Sequence, residues 1–152
     1  TPLYSSAASD VYKRQGGNHA AGCSCWGSPL MDWFYELNRC RKWIEDALEY
    51  SGGTHTFHDI ALGVLSGRYH LFPNHNSAVV VEIVVYPQLK DLHFFLAGGN
   101  LDELKEMRPI IEAWGKSIGC TRVTLAGRRG WERTFLKDEG YEPQWFILSK
   151  EL

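Results

Sequence analysis

One carboxylate interrupts the most apolar run of the chain: Glu82 stands in Ala78-Val-Val-Val-Glu-Ile-Val-Val-Tyr86. A carboxylate in such a run must be hydrogen-bonded, paired or pointed into a cavity, because an unpartnered buried charge is costly. Burial raises a carboxylate's pKa, which is what a general base for an amine requires, so Glu82 is the candidate base. The alternative is a glutamate on a half-exposed face or paired with Arg68. Arg128 and Arg129 lie in a Gly-flanked turn, where two guanidiniums could clamp phosphates or a partner's carboxylates, or be solvated loop charge. Trp131 follows them and either anchors the core or stacks on a ligand. His55-x-x-His58 could place two metal ligands on one helix face. No third ligand is in register, so capping and surface roles are expected instead. His70, His75 and His93 show no recognisable spacing and receive no role.

The elements that must position these residues follow from periodicity. Over residues 31–50, Trp33, Phe34, Leu37, Trp43, Ile44, Ala47 and Leu48 recur at three- and four-residue spacings between charges, which predicts an amphipathic helix stopped by Ser51-Gly52-Gly53. A shorter helix is expected from about Thr56 to Gly67. The period then changes. Residues 68–72 and 77–86 read as strands around the turn Pro73-Asn74-His75-Asn76, and the near-continuous valines of the second place it centrally, covered on both faces. A third strand is expected over 92–97, a fourth over 121–126, a helix over 131–138 and a last strand over 144–148.

The joint after the third strand is the best specified. Gly98-Gly99-Asn100 leads into a helix with Asn100 as N-cap and Glu103 completing a capping box. Leu101, Leu104, Ile111, Trp114 and Ile118 share one side of this helix, and Pro109 predicts a kink or a division into two helices. A helical crossover of this length makes the strands on either side of it parallel. The amides and dipole at the helix start favour an anion there.

This order of helices and strands, from about Trp33 to the C-terminus, resembles the GCN5-related N-acetyltransferase (GNAT) superfamily. The segments Leu96-Ala-Gly-Gly99, Ile111-Glu-Ala-Trp-Gly115, Gly119-Cys120, Gly127-Arg-Arg-Gly-Trp131 and Gly140-Tyr141 look more narrowly like acetyltransferase-like proteins encoded among phage and prophage structural genes. The resemblance implies an α/β (α+β) fold, with a mixed central sheet, helices on both faces and a splayed parallel strand pair. It implies acetyl-CoA or another acyl-CoA as cofactor in that splay. Leu96, Ala97, Gly98, Gly99, Asn100, Arg128 and Arg129 are then the cofactor-binding residues, and an amine, small-molecule or protein, is the acceptor. Two departures stand out. The family's Arg or Gln followed by x-x-Gly-x-Gly or Ala is here Ala97-Gly98-Gly99-Asn100, with Asp102 and Glu103 adding negative charge in the first turn. The tyrosine that many members use as general acid is replaced by Leu136, so Tyr141, Cys120 or water would serve. The resemblance therefore carries two readings: an acyltransferase using Glu82 and Tyr141, or a non-catalytic phage-associated structural or interaction protein that keeps the fold.

Bulk properties bound the rest. With 152 residues, 44% hydrophobic and 22% charged, the chain suits one globular domain. A net charge of −2 gives no basic field for nucleic acid or anionic membrane. No apolar run approaches the ~20 residues of a membrane helix, so a soluble protein is expected; the resemblance implies the cytoplasm of a bacterial host, or virion association under the second reading. Residues 1–15 resemble a sequencing-library adaptor read through in frame rather than an export signal. They carry +1 and leave −3 on the remainder. Residues 16–30 read as a flexible or truncated lead-in, so the domain is expected over 31–152. Cys23, Cys25, Cys40 and Cys120 lack the paired spacing of a zinc site and read as reduced thiols.

Overall fold

The computed structural model describes residues 29–127, 129–145 and 147–152. The adaptor-like stretch, residues 16–28 of the expected lead-in with Cys23 and Cys25, and Arg128 lie outside them, whereas residues 29 and 30 of that lead-in open the first helix. Helix α1 (Pro29–Leu48) is followed by α2 (Phe57–Leu65). Thr56 caps α2 through a reciprocal box: its hydroxyl accepts from the Asp59 amide, and Asp59 accepts from the Thr56 amide at 2.8 Å. Strands β1 (Tyr69–Pro73), β2 (Ser77–Val85) and β3 (Lys90–Gly99) form an antiparallel meander. Helix α3 (Leu101–Ser117) then crosses back, so that β4 (Arg122–Leu125) pairs parallel to β3, giving the sheet order β1-β2-β3-β4.

Alternation along the strands sends side chains to two cores. On one face Leu37, Cys40 and Ile44 of α1 and Ile60 of α2 close over Leu71, Val80 and Leu96. On the other, Met107, Ile111 and Trp114 of α3 close over Phe72, Val79, Val81 and Leu92. The sheet is thus mixed, with helices on both faces. Burial of each such side chain contributes about 1.5–3 kcal/mol, which is what holds helices to sheet.

Four sequence expectations need adjustment. β2 is buried only from Ser77 to Val81; the helices do not reach Val85, which is exposed. α3 runs unbroken through Pro109, because Pro109 lies on its exposed side, where the carbonyl it leaves unpaired can bond water. The helix expected over 131–138 is a 3₁₀ turn (Arg129–Arg133) and a separate α4 (Phe135–Asp138), divided by the extended N-cap Thr134. The strand expected over 144–148 is absent among the described residues, and Trp145, Ile147 and Leu148 are exposed.

Candidate functional site

The parallel pair is closed at one end only. β3 and β4 pair from Asp91↔Arg122 to Phe94↔Leu125, and there β4 ends while β3 continues to Gly99. The cause is visible on the other edge of β3. Its register with β2 slips between Val80↔Leu96 and Val81↔Phe94, which leaves Phe95 as an extra residue. A bulge of this kind bends and twists its strand. Here it sits where pairing with β4 stops, so Phe95 to Gly99 run along β2 with no strand on the other side among the described residues.

Gly98 and Gly99 close the open strand, and their need for glycine lies within the chain. A Cβ on Gly98 would stand 2.3 Å from the Trp43 carbonyl oxygen of α1. A Cβ on Gly99 would stand 2.2 Å from the Asn76 carbonyl oxygen, and Gly99 has φ +102°. Asn100 Oδ1 caps α3 by accepting from the Asp102 and Glu103 amides at 2.9 and 3.2 Å. The expected capping box is only half formed. Glu103 does not turn back to the Asn100 amide, which donates to the Asn76 carbonyl instead. Its carboxylate accepts from the Ser77 hydroxyl at 2.5 Å and the Asn76 amide at 3.0 Å. Burial pushes the Glu103 pKa up, but these donors outweigh it and the net shift is downward. One of the two acidic charges at this helix start is therefore bound to the β1–β2 turn, while the Asp102 side chain is 87% exposed.

Beside the helix start lies a largely apolar cleft of about 430 Å³, lined by Leu101, Gly130, Trp131 and Thr134. Leu101 opens α3; the other three come from the 3₁₀ turn and the cap of α4. Trp131 is half-buried and lines the cleft, and its ring lies 3.2 Å from where a Cβ on Gly127 would stand. An ion-pair cluster fixes this wall to α3. Arg108 donates to Glu112 at 2.6 Å and to Glu139 at 2.9 Å, and the Tyr141 hydroxyl donates to Glu112 in a very short bond. Burial, then the Glu112 hydrogen bond and charge, push the Tyr141 phenol well above its ordinary range. Leu136 is buried between these elements and carries no proton to give.

The face of the sheet toward α1 and α2 carries a polar row, one residue per strand: Tyr69, Glu82, His93 and Thr124, joined by the registers Tyr69↔Glu82, Glu82↔His93 and His93↔Thr124. His93 Nδ1 lies 2.9 Å from Thr124 Oγ1. The Glu82 carboxylate is 26% exposed and 3.5 Å from the Arg68 guanidinium, the pairing that its alternative reading expects. Phe95, the bulged residue, stacks on Tyr69 at 5.4 Å and meets His55 edge-on at 5.0 Å. His55 Nε2 is also 3.2 Å from the Tyr69 hydroxyl, so His55 is a packing residue.

The structure therefore gathers Leu96, Ala97, Gly98, Gly99 and Asn100 along the open edge and its loop, and sets the backbone of Arg129 at the start of the 3₁₀ turn. Glu82 and Tyr141 are not together. Glu82 belongs to the face under α1 and α2, whereas Tyr141 is bound to α3 across the sheet. His93 and Thr124 received no role from spacing. The signal was a count: a turn over Tyr86 to Leu89 sets Val85 opposite Lys90 and hence Glu82 opposite His93. Cys40 is buried and Cys120 partly so, both free thiols, and burial raises Cys40 to about 11. Among the described residues no cluster of His, Cys, Asp and Glu could hold a metal ion, and no helix is long and apolar enough to cross a membrane.

No family model and no curated sequence matches the chain. Solved structures do. Glucosamine-6-phosphate N-acetyltransferase from Arabidopsis thaliana superposes with a TM-score of 0.56 at 17% identity, covering 76% of this chain and 93% of that one. TTHA1254 from Thermus thermophilus superposes at 0.53 and 14% identity, covering 78% and 91%. A point mutant of TTHA1254 gives 0.55 at 13%. At such identities the likeness speaks for the fold alone, and with the mixed four-stranded sheet and its parallel β3–β4 pair it makes this chain an α/β protein of GNAT-like fold.

Proposed function

We propose that this chain is an N-acyltransferase that takes its acyl group from acyl-CoA, with acetyl-CoA the first donor to test, and delivers it to an amine. The observation that carries the reading is the end of β3–β4 pairing at Phe94↔Leu125, with an apolar cleft beside the loop that follows. The residues fit such a donor. The free edge of Leu96 and Ala97 offers backbone groups to an extended amide-bearing arm, much as an added strand would. The amides of Asn100, Asp102 and Glu103 are already bonded within the chain, so the start of α3 offers phosphate chiefly its dipole, with Arg128 and Arg129 supplying the cations. Glu103 is held by Ser77 and Asn76 but keeps its charge, so both it and Asp102 oppose an anion there.

Acyl-CoA would supply a thioester whose C–S bond breaks as the amine nitrogen bonds the acyl carbon. Glu82 is the base for the amine proton, directly or through an intervening group on the same face. Tyr141, which burial keeps protonated, or water returns a proton to the departing thiolate. A second reading rests on Leu136: with a buried leucine at the position of the family's acid, the chain serves as a phage-associated structural or interaction protein that keeps the scaffold without the chemistry.

Thermal shift with acetyl-CoA, followed by thiol release in the presence of amines, separates the two. A donor at 100 times its Kd adds about 2.7 kcal/mol of stability. No shift at millimolar acetyl-CoA favours the scaffold.

A further inference from the structure

Glu82 is poorly placed to meet an amine alone, since its carboxylate already faces Arg68. We infer that His93 is the proton acceptor of this site, with Thr124 and Glu82 as positioning residues that fix its ring and its charge; the inference rests on the acyltransferase reading of the same wedge. His93 pairs with Thr124 one step before the last β3–β4 partners, Phe94↔Leu125. The ring therefore stands at the closed end of the wedge, where a carbonyl held between the strands would lie. Its Nδ1 is 2.9 Å from Thr124 Oγ1. With the Nδ1 proton donated to that oxygen, Nε2 keeps a lone pair. Glu82 is the Cα partner of His93 on β2, so the two side chains share a face.

Among the described residues, the elements around the ring bring these charged and titratable groups. β2 brings Glu82, β3 itself Asp91, β4 Arg122, and β1 brings Tyr69 with Arg68 beside it. The loop before α2 brings His55. α1 meets β3 further along, at Gly98, through the Trp43 backbone. Arg122 is occupied by Asp91 in two bonds of 2.8 and 2.7 Å. Burial lowers the His93 pKa, and Glu82 and Asp91 only partly restore it. The ring is then neutral near pH 7 and competent to accept. In the step itself the amine nitrogen bonds the acyl carbon, its proton passes to Nε2, and the C–S bond breaks with its electron pair leaving on sulfur. Glu82 then steadies the imidazolium.

The test is thiol release from acetyl-CoA with butylamine as the probe amine, across the neutral pH range, for the wild type and the variants H93Q, T124V, T124S and E82Q. H93Q is expected to lower kcat/KM for butylamine at least about a hundredfold, with the KM for acetyl-CoA unchanged. T124V should lower it and T124S restore most of it. E82Q should move the acidic limb of the profile down by roughly half a unit, because a carboxylate that favours the protonated ring is lost. Titration of ¹⁵N-labelled histidine supplies a second readout, in which T124V but not T124S changes the His93 tautomer. H93Q with the wild-type rate and limb, or a tautomer indifferent to T124V, overturns the role of His93 and leaves the acyltransferase reading standing. A wild type that binds no acetyl-CoA and releases no thiol overturns both.

Discussion

Glu103 Oε2 accepts the Ser77 hydroxyl at 2.5 Å, a bond that ties the first turn of α3 to the first residue of β2. Ser77 is fully buried, so its hydroxyl depends on this acceptor and on the Met107 sulfur at 3.5 Å. Glu103→Ala should cost about 1–2 kcal/mol, the usual penalty for stranding buried donors, measured by urea unfolding. The folded-state pKa of Glu103 is depressed, so its contribution is present above the ordinary glutamate range and lost as pH falls through the folded value. The cost of Glu103→Ala should therefore shrink toward zero in acid.

Gly98 and Gly99 test whether the glycines that end β3 serve the chain or a ligand. A Cβ at Gly98 meets the Trp43 carbonyl, and one at Gly99 meets the Asn76 carbonyl at a positive φ. Both contacts are with backbone, which yields little, so Gly98→Ala and Gly99→Ala should each destabilise the protein by about 2–4 kcal/mol without any ligand. Urea midpoints of the purified variants read this directly. Equal stability would mean that the loop opens away from α1 and the β1–β2 turn.

Arg108 clamps the far wall of the cleft. Its side chain is 12% exposed and bonds Glu112 and Glu139. Arg108→Ala strands two carboxylates and should cost about 2 kcal/mol, below the full penalty of a deeply buried pair. The loss should be local. Amide exchange should quicken most over Phe135–Asp138, and Tyr141→Phe should produce a milder version of the same pattern.

Asp91 and Arg122 join β3 to the short edge strand β4. The Asp91 side chain is 3% exposed and held by both guanidinium bonds. Asp91→Asn leaves one oxygen to accept from Arg122 and sets an N–H against the other guanidinium donor, so it should cost about 1–3 kcal/mol, with amide exchange accelerated in Arg122–Leu125. Unchanged exchange in β4 would show that backbone pairing alone holds the strand.

The elements most legible in the sequence were those whose period or punctuation is local. Strict three- and four-residue spacing found α1, the turn residues Pro73 to Asn76 found the β1–β2 hairpin, and Asn100 found the start of α3. What stayed hidden was tertiary. The Phe95 bulge has no local signature, because Phe, Leu and Ala fit a regular strand as well as a slipped one. Glu103 matches a capping box in sequence, yet Ser77 and Asn76 outcompete the Asn100 amide for it. Gln144 to Leu148 has strand composition, yet its described residues join no ladder. His93 acquires meaning only from a register that sets Glu82 and Thr124 on either side of it.

The wedge is tested most directly by amide chemical shifts of the ¹⁵N-labelled protein titrated with acetyl-CoA. The account predicts saturable changes concentrated in Phe95 to Leu101 and in Gly130 to Thr134, the two sides of the opening beyond the last β3–β4 pair. Changes confined to other surfaces, or none at millimolar acetyl-CoA, would contradict it.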